Sequence, residues 1–143
     1  MKTLATLWLS MLVATVASAT NLTVTGFEIT TSDDVQVCIS TKGELLYIAM
    51  PDGELKRDDA GRIVRAGSVR IEYESDGTIG KIGDNAIKRD MVGSISSIGE
   101  FAIKRDPAGA IVGIGEAVIQ RASNNTIEKV VGDARIRPVL TER

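Results

Sequence analysis

The side chains in this chain that could do chemistry are recurring carboxylates and one thiol. Histidine is absent from all 143 residues, which excludes Ser-His-Asp and Cys-His catalysis and removes the commonest transition-metal ligand. Carboxylates recur in sequences typical of turns, where Asp accepts local backbone hydrogen bonds. Weak Ca²⁺ binding at these turns is the alternative, although their spacing matches neither an EF-hand nor a calcium-binding nonapeptide. We predict no catalytic, cofactor-binding or metal-ligating residue. The aspartates concerned are Asp33-Asp34, Asp58-Asp59, Asp76, Asp90 and Asp106.

The thiol belongs to Cys38, the single cysteine. One cysteine cannot form an intramolecular disulfide, and without histidine it lacks the partner of a cysteine nucleophile. Its segment, VQVCIS, alternates as a strand does. This pattern predicts a small buried apolar side chain, with intermolecular disulfide formation as the alternative.

Two other patterns resemble ligand sites. The phrases Gly80-x-x-Gly83 and Gly113-x-Gly115 are rich in glycine, but no helix follows to present its N-terminus to a phosphate, so no nucleotide site is predicted. Lys-Arg-Asp triplets begin at Lys56, Lys88 and Lys104. We interpret the triplets as a solvated edge of paired charges, with a charged surface that recognises a polymer or a protein as the alternative.

The elements that position these residues repeat every sixteen residues. Gly61, Gly77, Gly93, Gly109 and Asn125 mark the copies, which read GTIGKIGDNAIKRDMV, GSISSIGEFAIKRDPA and GAIVGIGEAVIQRASN. Asp-x-x-Gly turns begin at Asp90 and Asp106, and Gly-acid pairs suited to a type II′ hairpin recur at Gly83-Asp84, Gly99-Glu100 and Gly115-Glu116. A short fixed period of this kind indicates one structural unit copied along the chain.

These signals predict an all-β fold, an antiparallel meander of sixteen-residue, two-stranded repeats. The alternative is a parallel β-solenoid, in which equivalent residues stack about 4.8 Å apart. A solenoid would place Arg89, Arg105 and Arg121 directly on one another. The meander separates them by about 10 Å and is therefore favoured.

A hairpin turn at Gly83-Asp84 pairs Ile82 with Asn85 and sets the faces of the sheet. On this register, one face carries few charges and is the expected core, and the other face mixes isoleucine with lysine. The core face receives Gly80, Ile82 and Ile87, and the mixed face receives Ile79, Lys81, Ala86 and Lys88.

The ends of the chain differ from the repeats. Residues 1–19 combine Lys2, an apolar stretch and Ala17-Ser18-Ala19, as a cleaved signal peptide does. A single domain is predicted over 20–143, with lead-in strands and a degenerate repeat at 20–60 and the repeat array at 61–138. The stretches NLTVTGFEI, VQVCIS and GELLYIAM are expected to form strands of one lead-in sheet.

Composition limits the partners. The formal net charge is −2 and aromatic residues make up 3% of the chain. This balance gives no electrostatic reason to bind nucleic acid or an anionic membrane surface, and it supplies few rings on which bases could stack. No membrane span is expected in the mature chain, which we place in the periplasm or outside the cell.

The pattern G-x-I-x-x-I-G-x-x-x-I-x-R-D resembles the short β-hairpin repeats of secreted bacterial proteins, including the YD repeats of Rhs-type shells. Tyr73-Glu74-Ser75-Asp76-Gly77 is closest to that family's tyrosine-acid-turn-glycine phrase. Later copies have Arg89-Asp90 and Arg105-Asp106 where the family carries Tyr-Asp. The resemblance implies repeated hairpins and carries no function.

Together these patterns predict a non-enzymatic structural or adhesive β-repeat protein that self-associates through exposed edge strands and the mixed face. The alternative is a monomeric extracytoplasmic binding module, or an inhibitor of another secreted protein. Both hypotheses expect a protein partner, either another copy or a different chain.

Overall fold

The computed structural model describes residues 22–49 and 52–142, so the expected signal peptide lies outside the described residues. The described chain forms fourteen β-strands. They are β1 (Leu22–Thr30), β2 (Gln36–Ser40), β3 (Leu45–Ala49), β4 (Leu55–Arg57), β5 (Ile63–Ala66), β6 (Val69–Tyr73), β7 (Ile79–Ile82), β8 (Asn85–Arg89), β9 (Ile95–Ile98), β10 (Phe101–Arg105), β11 (Ile111–Ile114), β12 (Ala117–Arg121), β13 (Ile127–Val131) and β14 (Ile136–Glu142).

Two turns alternate along the repeats, as their sequences predict. In the Gly-acid turn, Gly83 has a φ of 59° and the next residue stays at negative φ, which is the type II′ arrangement that suits right-twisted strands. In the Asp-x-x-Gly turn, the Gly93 amide donates to the Asp90 carbonyl at 3.1 Å. Gly93 has a φ of 92°, a conformation that glycine adopts without the steric cost of a Cβ.

These turns fold strands β4 to β13 into a ten-stranded antiparallel meander in chain order. The predicted meander is confirmed, and so is the pairing of Ile82 with Asn85. The three lead-in stretches share one sheet, also as predicted, in the order β14-β1-β2-β3. The last strand, β14, leaves the array and pairs with β1 over Leu22 to Ile29.

Every copy contains a β-bulge that the predicted register lacks, and the bulge changes which residues lie on each face of the sheet. Opposite the step from Glu72 to Tyr73, the register skips Gly80, and this extra residue turns Ile79 from the lysine face towards the core. Ile79 packs against the core cluster, and its equivalents Ile95 and Ile111 are only 3% and 0% exposed. The prediction of a mixed isoleucine-lysine face is therefore wrong, because the strict alternation of side chains that it assumed ends at a bulge.

The four-stranded sheet packs against one face of the ten-stranded sheet, and the two share a single hydrophobic cluster. The small sheet contributes Phe27 and Ile39, and the large sheet contributes Ile98, Phe101 and Ile114, all at most 2% exposed. We call the opposite face of the ten-stranded sheet the outer face. Burial of these side chains is the main stabilising contribution to such a two-layer fold.

Polar contacts fix how the layers sit on each other. Asp33, in the β1–β2 turn, accepts hydrogen bonds from the Asn85 side chain at 2.8 Å and from the Asp84 backbone amide at 3.2 Å. We call this set of hydrogen bonds the Asp33 bridge.

Within residues 22–49 and 52–142, no helix is long and apolar enough to cross a bilayer.

Candidate functional site

The Lys-Arg-Asp triplets separate into three roles because neighbouring strand residues alternate in direction. In the triplet that starts at Lys88, the lysine is exposed on the outer face. The Arg89 guanidinium donates to the backbone carbonyl of Ile79 at 2.9 Å. Asp90 caps its own turn by accepting from the Val92 and Ser94 amides. The interpretation as paired charges is wrong for this triplet, because its arginine and its aspartate both bond to backbone. In the first triplet Asp58 does form an ion pair, with Arg62 at 2.9 Å.

The arginine of each later copy closes a gap in the sheet. Only two residue pairs join β7 to β8, and the guanidinium reaches across where these strands diverge. Arg105 donates to Ile95 and Arg121 to Ile111 in the same way, each to a carbonyl ten residues earlier. In the first copy, the Tyr73 hydroxyl donates to the Ile63 carbonyl at 2.8 Å. Tyrosine and arginine therefore serve the same purpose at this position.

We expect Arg89→Leu to lower the free energy of unfolding by about 1–2 kcal/mol, because the Ile79 carbonyl loses its charged donor. Arg89→Tyr should lose less than half as much, since Tyr73 shows that a phenol can reach the equivalent carbonyl. Urea unfolding of both variants measures the difference. Equal losses for tyrosine and leucine would show that the hydrogen bond is unimportant.

Four of the turn aspartates, Asp58, Asp76, Asp90 and Asp106, accept the local backbone hydrogen bonds that their sequences predict. Asp76 accepts from the Thr78 hydroxyl at 2.7 Å and from the Thr78 amide at 3.0 Å. The hydroxyl bond and then the amide bond hold the pKa of Asp76 below its usual value. For Asp58 the backbone amide of Arg62 has the largest effect in lowering the pKa. Such carboxylates stay ionised at neutral pH and are poor general acids.

Cys38 is buried, as its strand pattern predicts. Its cross-strand partners are Glu28 and Tyr47, so it lies on the side of the small sheet that faces away from the core. Burial raises the pKa of the Cys38 thiol, which keeps it protonated and unreactive at neutral pH. Among the described residues, no group of three or more Asp, Glu, Cys or His side chains could hold a metal ion.

Three cations form a row across neighbouring strands on the outer face. Lys56 on β4 lies opposite Arg65 on β5, and Arg65 lies opposite Arg70 on β6. We call these three residues the cation row. Like charges directly opposite each other destabilise a sheet, and the ion pairs of the described chain all involve other cations.

The cation row lines an open cleft of about 420 Å³. Val64 and Ile71 supply its apolar part. Val64 is the extra residue of the β4–β5 bulge, and β5 and β6 pair through only two residues before they diverge. The cleft therefore lies where β5 and β6 diverge, and the three side chains of the cation row surround it.

Arg65 and Arg70 are not among the candidate residues predicted from the sequence. The signal was present in Arg-Ala-Gly-Ser-Val-Arg, because a two-residue hairpin at Gly67-Ser68 pairs the two arginines directly. Placing Lys56 in the same row also requires the bulge at Val64, which no pattern in the sequence marks.

A second candidate surface is the free edge of β3, which pairs with β2 on one side. Leu46 is 54% exposed and Tyr47 is 51% exposed. Leu46 is the extra residue of a bulge, which leaves Tyr47 to Ala49 as the regular part of the edge. Every residue of this strand is uncharged.

Comparison with known proteins gives no relative: the chain matches no protein-family model, no curated protein and no solved structure. The function proposed below therefore rests on the surfaces described above.

Proposed function

We propose that this chain is a non-enzymatic structural or adhesive β-repeat protein of the periplasm or the extracellular space, and that it self-associates through the edge of β3. The observation that carries the proposal is the uncharged, exposed Leu45–Ala49 strand. An edge strand presents unpaired backbone donors and acceptors, and another strand can pair with them.

The other three edges of the two sheets carry features that discourage pairing. Strand β4 is three residues long and contains Lys56 and Arg57. Strand β13 contains Glu128 and Lys129. Strand β14 contains Pro138, which has no backbone donor. Short length, charge and proline are the usual means by which proteins protect sheet edges, so β3 stands apart from the rest.

A second copy is the occupant that fits this edge most simply. Two β3 strands related by a two-fold axis would pair antiparallel, and the two four-stranded sheets would become one sheet of eight strands. Such an interface is isologous, so each copy contributes the same Tyr47–Ala49 segment. Exposed Leu46 and Tyr47 side chains would lose contact with water on association.

We expect Leu46→Lys to abolish self-association, because it places a charge immediately beside the Tyr47–Ala49 pairing segment. Sedimentation velocity across a hundredfold range of concentration should show larger species for the wild type and a monomer for the variant. Val118→Lys is the matched control, since Val118 is 51% exposed on the outer face of the other sheet. A wild type that stays monomeric throughout would refute self-assembly.

The alternative is a monomeric binding module or an inhibitor of another secreted protein. The observation that favours it is the outer face, where Lys81, Lys88, Lys104 and Lys129 join the cation row in a surface with few carboxylates. A monomeric wild type that retains a protein from the culture medium would support this alternative.

A further inference from the structure

The cation row differs from the same positions in every later copy. The equivalent three-strand rows are Glu72-Lys81-Ala86, Lys88-Ser97-Ala102 and Lys104-Gly113-Val118. Each later row contains a single cation, and one of them also contains a carboxylate. The three adjacent cations are therefore a property of the first copy and are not imposed by the fold.

The repeat itself shows that this charge repulsion can be avoided, because serine, glycine, alanine and valine all occupy these positions elsewhere. Uncompensated charge that lowers the stability of a fold is characteristic of binding sites. The cation row has no ion-pair partner among residues 22–49 and 52–142. Its side chains are half-buried at Arg65 and exposed at Lys56 and Arg70, so a ligand can reach all three.

We propose that this cleft binds a compact oxyanion group, phosphate or sulfate, that carries two or more negative charges. Two guanidinium groups can each donate a pair of parallel hydrogen bonds to such oxygens, and Lys56 adds a point charge. Half-buried Val64 provides an apolar contact for the group that carries the anion, above the buried Ile71. The site lies on the large sheet, so it is independent of self-association through β3.

The charges around the row favour a short ligand over a long polyanion. Three strands span about 10 Å from the first to the third. Glu54 precedes β4, Asp58 follows it, and Glu72 lies two residues beyond Arg70. The whole chain is also net negative at −2. A ligand that extends beyond the row would meet these carboxylates within one Debye length, about 10 Å at 0.1 M salt.

Titration calorimetry of the full chain with inorganic tripolyphosphate and with a trisulfated disaccharide tests the proposal. Binding of either probe supports it, and the stronger of the two identifies the source of the oxyanion. Arg65→Gln and Arg70→Gln should each weaken binding about tenfold. Lys104→Gln, an exposed change on the same face of a later copy, should leave binding unchanged.

Thermal unfolding distinguishes oxyanion binding by the cation row from a purely structural role of the same residues. The probe should raise the Tm of the wild type, because a ligand that binds only the folded state stabilises it. Arg70→Gln should match or exceed the wild-type Tm without probe, since it relieves repulsion, and it should lose the response to probe. The proposal is overturned if neither probe binds, if Lys104→Gln weakens binding as much as Arg65→Gln, or if a DNA duplex binds more tightly than both probes.

Discussion

Ile103→Asp should unfold this protein or lower its free energy of unfolding by about 4 kcal/mol or more. Ile103 is 8% exposed and lies opposite Ile114, which is fully buried beneath the small sheet. An aspartate there would either bury an unpaired charge or drag the strand out of its register. Urea unfolding followed by circular dichroism gives the loss directly.

The neighbouring change supplies the control. Lys104→Asp alters the next residue of the same strand, but Lys104 is exposed on the outer face. Its effect should stay within about 0.5 kcal/mol. Similar midpoints for the two variants would refute the assignment of Ile103 to the buried face and of Lys104 to the exposed face of β10.

Removing the Asp33 bridge should have the second largest effect. Asp33→Ala takes away the acceptor of the Asp84 amide and one of the two acceptors of the Asn85 side chain, which also donates to the Ile82 carbonyl. The Thr31 hydroxyl also loses Asp33 but keeps the Val35 carbonyl. Asn85 is only 6% exposed, and its unsatisfied donor should destabilise the fold by about 2 kcal/mol or more. Asp59→Ala is the control, because Asp59 is an exposed turn aspartate. Equal free energies of unfolding for Asp33→Ala and Asp59→Ala would show that the Asp33 bridge does not help to hold the layers together.

The same carboxylate makes stability depend on pH. Burial alone would raise the pKa of Asp33, but hydrogen bonds from Thr31, Asn85 and Asp84 outweigh it and lower the pKa below its usual value. The folded state then binds fewer protons than the unfolded state. Stability from Asp33 is therefore present above about pH 4 and is lost as the pH falls through the folded-state pKa. Between about pH 4 and pH 2, wild type should lose more stability than Asp33→Ala.

The sequence predicts much of this fold because its strongest signals are local. Turn types are fixed by the glycine positions, and a hairpin turn fixes the register of the strands beside it, as at Ile82 and Asn85. Charge repulsion among Arg89, Arg105 and Arg121 favoured the meander over the solenoid, and the meander is what forms. Each of these inferences uses residues that lie close together in the chain.

Features that depend on distant residues or on irregular backbone were not predicted. The pairing of β14 with β1 joins residues more than a hundred positions apart, and no short pattern marks it. The bulges that pack Ile79 and its equivalents against the core are local, but four different residue types occupy them, so no single residue marks them in the sequence. The cation row depends on both a hairpin and a bulge, and for that reason its three members did not appear as a group.

The bulge has a consequence for how such a protein can diversify. Its extra residue is Val64, Gly80, Ser96, Val112 or Glu128 in successive copies, although the residue before it is isoleucine every time. Five copies thus hold four different residue types at one site without disturbing the core. Natural variation could therefore substitute the bulge residues one at a time and change the outer surface, while the buried isoleucines preserve the fold.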